Sequence, residues 1–148
     1  MKVITATIND LESIVPLFDA YRVFYSQTSD VEKARDFLQE RLSNNESIIF
    51  LAIDADNNAV GFTQLFRGFS SVSAARTWIL NDLYVIPTAR GLGVAKRLMN
   101  AARELAECDK VKGLALETAE DNLNAQKLYE SLGYQRELGT YHYFLSLD

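Results

Sequence analysis

A chain of 148 residues has the length of one ordinary domain and buries about two-thirds of its unfolded surface, so its core needs no disulfide or metal. Apolar residues make up 48% and charged residues 24%, which excludes a disordered chain. Fifteen Lys and Arg against twenty Asp and Glu give a net charge of −5, which excludes a generally basic nucleic-acid binder, and no apolar run approaches the ~20 residues of a membrane span. The single cysteine, Cys108, excludes an internal disulfide, and with one histidine, His142, no Cys/His metal site is expected. The start, Met1 to Thr7, is polar in alternation and unlike a signal peptide. The expectation is a cytoplasmic, metal-free protein with a single domain over residues 1–148.

Residues 2–8 alternate and are rich in β-branched side chains, which predicts a strand. Asn9 followed by Glu12 has the form of a capping box, and Leu11, Ile14, Val15, Phe18, Tyr21, Phe24 and Tyr25 recur at helical spacing, with Pro16 as a kink or a later start. Ser29 and Glu32 form a second capping signature before a helix that ends near Asn44-Asn45. Ser47 to Asp54 and Ala59 to Arg67 are strands around an Asp/Asn turn, hence a hairpin. Phe69 to Ser73 reads as a loop, and Arg76 to Ile86 as a strand stopped by Pro87. A turn at Arg90–Gly93 leads into a helix from Val94 to Cys108, and Gly113 to Thr118 is a short buried strand. Asp121 or Asn122 caps a helix through Ser131, Gly133 is its C′ glycine, and strands follow at 134–138 and 141–147. Helices and strands that mix without strict alternation predict a mixed-sheet α/β domain rather than a doubly wound one.

The chemistry concentrates between Leu83 and Leu98, where a strand runs through a glycine turn into a helix. Such a turn aims backbone N–H groups from a positive helix end and suits a pyrophosphate. Arg90, Lys96 and Arg97 add positive charge to an acidic chain. A Rossmann fingerprint requires a small residue where Lys96 stands, and the Gly-Lys-Ser/Thr of a Walker loop is missing. A mononucleotide site on the same turn lacks the Ser/Thr that binds Mg²⁺.

Arg90 to Ala95 reads R-x-x-G-x-A and resembles the coenzyme A pyrophosphate loop of the GNAT superfamily of N-acetyltransferases. Asn122 to Tyr134 reads N-x-x-A-x-x-L-Y-x-x-x-G-Y and resembles the second signature of that family. With the element order, the resemblance covers nearly the whole chain. It implies the GNAT fold: a mixed α/β sheet of about seven strands with about four helices, splayed between the fourth and fifth strands. It also implies acetyl-CoA as cofactor. Leu83, Tyr84 and Val85 would meet the pantetheine arm and the acetyl carbonyl through their backbone. Arg90, Gly91, Leu92, Gly93, Val94, Ala95 and Lys96 would cradle the pyrophosphate, and Asn122 and Ala125 would line the pantetheine region. Tyr129 would stand by the thioester sulfur, where a phenol of pKa about 10 can protonate a departing thiolate.

An ammonium acceptor has to lose a proton before it attacks. Asp82 and Glu117 are the candidate bases, directly or through water. Some polyamine-type relatives carry an acid one residue earlier, where this chain has Asn81. Tyr21, Arg22, Phe24 and Tyr25 end the first helix, where the fold builds its acceptor pocket, and Phe66, Phe69, Trp78 and Tyr84 are further candidates for aromatic walls. Asn81 and Glu117 complete the candidate acceptor site. Cys108 is read as having no role, and His142 as structural or a dimer contact. The function so implied is direct transfer from acetyl-CoA, in a ternary complex, to a primary amine of a small molecule or of a protein lysine or N-terminus. A homodimer is expected, with no membrane or direct nucleic-acid partner. A narrower resemblance points to diamine and polyamine acetyltransferases and to relatives acting on histone tails. The rival reading is a non-catalytic acyl-CoA-binding or regulatory module on the same fold.

Overall fold

Four strands meander antiparallel in chain order: β1 (Lys2–Thr5), β2 (Ser47–Ile53), β3 (Ala59–Ser70) and β4 (Ala75–Val85). β5 (Leu114–Ala115) joins β4 in parallel and completes a mixed five-stranded sheet. The computed structural model describes residues 1–148, which divide into a first unit, Met1–Glu117, and a second, Thr118–Asp148.

In the first unit, helices α1 (Leu11–Phe24) and α2 (Val31–Ser43) bury Ile14, Val15, Phe18, Ala34 and Leu38 against Ile49, Leu51 and Phe62. These positions recur every three or four residues on the helices and every second residue on β2, so one stripe meets one sheet face. Phe50 and Ala52, between them on β2, are buried outside that cluster. The opposite sheet face is therefore covered as well, and α3 (Val94–Asp109) packs on β2, β3 and β4 with Val94, Leu98, Met99, Ala102 and Ala106 buried. A fully buried side chain such as Phe62 or Leu38 contributes about 1.5–3 kcal/mol.

Several local expectations shift. The first capping box belongs to Thr7 and Asp10, not to Asn9 and Glu12: Asn9 N–H donates to Thr7 Oγ1 (3.2 Å) and Thr7 N–H to Asp10 Oδ2 (2.8 Å), around a 3-10 turn at Ile8–Asp10. Asp30 caps α2 by accepting from Lys33 N–H (3.1 Å), while the Ser29 hydroxyl donates to Asp19 Oδ2 (2.6 Å). α1 runs without a break through Pro16. β3 extends to Ser70, so the loop before β4 shrinks to residues 71–74.

Two features of β4 position the site. Against β3 the register shifts between Gln64 and Leu65: Gln64 faces Asp82 but Leu65 faces Leu80, leaving Asn81 as the extra residue of a bulge. Against β5, only Trp78 and Ile79 are paired, with Leu114 and Ala115. From Leu80 to Val85 the fourth strand has no fifth-strand neighbour.

In the second unit, α4 (Leu123–Ser131) is capped by Asn122, whose side chain accepts from Ala125 N–H, and it ends at Leu132 with Gly133 following at φ +95°. The strands expected at 134–138 and 141–147 are not formed, so the sheet has five strands and not about seven. A strand needs a partner for its main-chain groups. Within the second unit, the main-chain bond described at the start of this segment runs from Tyr134 N–H to Tyr129 C=O (3.1 Å), a turn and not a ladder.

Candidate active site

Asp82 is 2% exposed, and every hydrogen bond described at its carboxylate comes from a neutral donor. Gln64 Nε2 donates to Oδ2 (2.6 Å) and Asn81 Nδ2 to Oδ1 (2.7 Å). The Thr63 hydroxyl donates to the Asp82 carbonyl (2.7 Å), and the Tyr21 hydroxyl to the Asn81 carbonyl (3.3 Å). Burial pushes the Asp82 carboxyl above the ordinary carboxylate value, and the bonds from Asn81, Gln64 and Tyr21 hold it back. The bulge produces this arrangement: with Asn81 looped out, its amide turns back onto its neighbour. A buried carboxyl without a cation holds a proton more readily than a solvated one, a property suited to proton exchange with a substrate.

Gln64 and Thr63 were not singled out in the sequence. Gln64 is 1% exposed, and its Oε1 is buried without a hydrogen-bond partner. The available signal was a glutamine inside the apolar run Ala59–Phe66.

The structure brings several predicted acceptor residues together. Tyr21 lies edge-on to Tyr25 (5.0 Å between ring centroids) and to Phe62 (5.8 Å), and Phe24 lies edge-on to Tyr25 (5.3 Å). The Arg90 guanidinium sits over Tyr84 (5.6 Å) and Phe24 (6.0 Å) and donates from Nε to the Val85 carbonyl (2.9 Å), tying the glycine loop to α1 and β4. Arg22 has Nη1 buried without a hydrogen bond, and its charge acts on Asp19. Other candidates lie elsewhere. Trp78 donates to Asp109 Oδ2 (3.0 Å) under the Arg67 guanidinium, and Phe69 is exposed opposite Arg76. Glu117 is exposed past β5 and makes none of the Asp82 hydrogen bonds.

Leu83, Tyr84 and Val85 occupy the stretch of β4 that β5 leaves unpaired. After them a 3-10 turn at Pro87–Ala89 leads to Arg90, then to Gly91 at φ +80° and Gly93 at φ +78°. Both glycines are required by this left-handed backbone. A Cβ on either would meet nothing within 4 Å, so the loop borders open space. Gly93 is the N-cap of α3 and offers no side-chain acceptor. The first described bond of that turn runs from Arg97 N–H to the Gly93 carbonyl (3.1 Å), which leaves the N–H groups of Val94, Ala95 and Lys96 as the orphan donors of the helix start. Open space, orphan donors and the exposed Lys96 fit an anion such as a pyrophosphate.

In the second unit, Asn122 Oδ1 accepts from Ala125 N–H (3.3 Å), so this side chain caps α4. Tyr129 is half-buried on α4, with its ring 6.2 Å from that of Tyr134. Two open grooves of about 460 and 680 Å³ border α3, but Asp82, Tyr21 and Arg90 line neither. No cluster of three or more His, Cys, Asp or Glu side chains could hold a metal ion, and no helix is long and apolar enough to cross a membrane.

Residues 12–134 match the family model described as Acetyltransferase (GNAT) family. The chain is 44% identical over 147 residues to the uncharacterized N-acetyltransferase YhfO of Bacillus subtilis (strain 168), covering 99% of this chain and 98% of that protein. It is 24% identical over 138 residues to the thialysine N-epsilon-acetyltransferase of Caenorhabditis elegans, covering 90% and 82%. A crystal structure of a probable acetyltransferase, 39% identical, aligns with a TM-score of 0.94 over 100% of this chain and 99% of that one.

Proposed function

Because this chain belongs to the acetyltransferase (GNAT) family, we propose that it acetylates a primary amine, on a small molecule or on a peptide lysine or N-terminus, by direct attack in a ternary complex. It is an N-acetyltransferase, and acetyl-CoA is its acetyl donor. We place it in the cytoplasm, where acetyl-CoA is at hand, as a homodimer.

When bound, acetyl-CoA supplies an activated thioester carbonyl for the amine to attack. The residues of this chain do the rest. The loop Arg90–Lys96 binds the pyrophosphate through the orphan N–H groups of α3 and the free guanidinium nitrogens of Arg90. Leu83, Tyr84 and Val85 orient the pantetheine arm and the acetyl group, and a backbone N–H there stabilises the negative charge that develops on the carbonyl oxygen. By the family resemblance, Asn122 and Ala125 would line the pantetheine region. Asp82 receives the proton that the ammonium has to lose, through a water, since the carboxylate itself is buried. Tyr129 holds the proton that the departing sulfur takes up. Tyr21 and Tyr25 offer ring faces to a cationic acceptor, while Phe24 and Tyr84 carry the Arg90 guanidinium.

The observation that carries this reading is the buried Asp82, held by neutral amides beside the unpaired stretch of β4. The C. elegans relative is named for the ε-amine of thialysine, which supports an amine on a cationic aliphatic chain. The test is thiol release from acetyl-CoA with diamines, polyamines, thialysine, lysine-containing peptides and aminoglycosides. Release that depends on an added amine and is lost in Asp82→Asn supports the reading. Release that persists undiminished in that variant removes Asp82 from it.

A further inference from the structure

Two charged side chains are buried in this chain, Asp82 and Asp19, and the proposed transfer engages the first alone. A buried carboxylate is costly unless hydrogen bonds answer it. At Asp19, midway along α1, both oxygens are answered by the segment that joins α1 to α2. The Ser29 hydroxyl donates to Oδ2 (2.6 Å) and the Asp30 N–H to Oδ1 (2.8 Å). Those donors, with the charge of Arg22, hold the carboxyl below its ordinary value, so it stays ionised at neutral pH.

The clasped segment, residues 25–30, is tied down at both ends. At its start, Tyr25 N–H donates to the Tyr21 and Arg22 carbonyls (3.2 and 3.1 Å) and Gln27 N–H to the Arg22 carbonyl (3.0 Å), with Ser26 between them at φ +67°. A residue with a Cβ keeps that left-handed conformation where its surroundings over-determine it. At its end, Asp30 caps α2 through Lys33 N–H while its own N–H is held by Asp19. Tyr25 is half-exposed, so burial does not set its place. Yet its ring continues a row from Tyr21, whose hydroxyl donates to the Asn81 carbonyl beside Asp82.

We propose that Asp19 is a positioning residue for the acceptor amine: its carboxylate clasps residues 25–30 to α1 and so holds the Tyr25 ring where a cationic amine meets it, a role that rests on the acetyl-transfer reading. Asp19 itself touches neither the amine nor acetyl-CoA. The clasp denies the segment other conformations, so the row of rings is ordered by folding and not at the moment of binding. Such ordering favours the bound amine and the transition state alike, and its loss raises KM while kcat is kept.

The test is steady-state thiol release from acetyl-CoA with the amine that the native protein acetylates fastest. Asp19→Ala should raise KM for that amine about tenfold, the scale of losing hydrogen bonds to a charged group, with kcat and the KM for acetyl-CoA kept. Asp19→Asn should restore most of the loss, since its Oδ1 can accept from Asp30 N–H and its Nδ2 can donate to the Ser29 hydroxyl oxygen. Ser29→Ala removes one donor and leaves the carboxylate, so it should give a smaller rise, and it decides the matter where Asp19→Ala fails to fold. Glu12→Ala is the control. It breaks the other tie between α1 and α2, the paired bonds from Arg35 (2.8 and 2.9 Å) at the first turn of α1, and should leave the amine KM at the native value. A native amine KM in folded Asp19→Ala, or in Ser29→Ala where that variant alone folds, overturns the proposal. So does an equal rise in Glu12→Ala, or a fall in kcat that Asp19→Asn does not restore. Each of these leaves the acetyl-transfer reading standing, whereas a native protein that releases no thiol with any amine overturns that reading and the role of Asp19 with it.

Discussion

At Asp82 two opposing effects set one proton. Burial penalises the carboxylate, and the amides of Gln64 and Asn81 relieve part of that penalty. The group's affinity for a proton is raised by folding, so its contribution to stability is greatest when protonated and is lost as pH rises through its folded value. Asp82→Asn cannot ionise, so its melting temperature relative to the native protein should increase with pH, as calorimetry across a pH series would show. Its kcat/KM should fall by about 10²–10⁴, the range of general-base effects. A variant that keeps full turnover would make Asp82 a packing residue only. Gln64→Leu tests the restraint on the same proton. Removing a hydrogen bond to a charged group forfeits about 1.5 kcal/mol, or about one pH unit. The acid limb of the kcat/KM profile should therefore move to higher pH by about that amount, with the plateau retained. Asp82 and Asn81 were legible as neighbours in sequence. Gln64 was not, because its contact is made across a bulge that no periodicity reveals.

The element most legible in the sequence was the strand-turn-helix that includes the loop Arg90–Lys96. Its glycines stand where the backbone needs positive φ, and α3 begins at Val94 as expected. The caps of the first two helices were misplaced by one or two residues, because Thr, Ser, Asn and Asp cluster there and several could cap, while α4 is capped by Asn122, one of its two candidates. Space decides the experiment on the loop. A Cβ at Gly93 meets no protein atom within 4 Å, yet φ is +78°, where a β-branched residue is strained. Gly93→Val should therefore deform the turn and place a branched side chain over the N–H groups that would hold the pyrophosphate. Calorimetric affinity for coenzyme A should fall at least tenfold, a loss of about 1.4 kcal/mol. Affinity equal to the native value in a folded variant would move the pyrophosphate away from this turn.

For the whole chain, the β2–β3 hairpin and the helices could be read from patterning, because their partners lie nearby in sequence, whereas the pairing of β1 with β2 spans two helices and could not. The last two strands were read from the same patterning and are not formed, since alternation states which residues prefer a strand but not where its partner lies. Charge is a further whole-molecule property, and it bears on the choice of acceptor. The chain carries a net −5, so it draws cations by long-range attraction. Locally the picture is narrower. Glu117 is exposed and Arg90 covers Tyr84, so Asp82 and the faces of Tyr21 and Tyr25 remain as the cation-favouring groups of the acceptor side. Diamines, polyamines or lysine-rich peptides should then show a higher kcat/KM than neutral amines of matched size. The advantage should shrink between low salt and ~0.15 M, where the screening length falls to about 8 Å. A part that survives at high salt would belong to short-range contact with the aromatic faces, which screening affects little. The measurement is kcat/KM for matched cationic and neutral amines across a salt series. A preference for an acidic amino acid, insensitive to salt, would show that the acceptor is chosen by groups other than these.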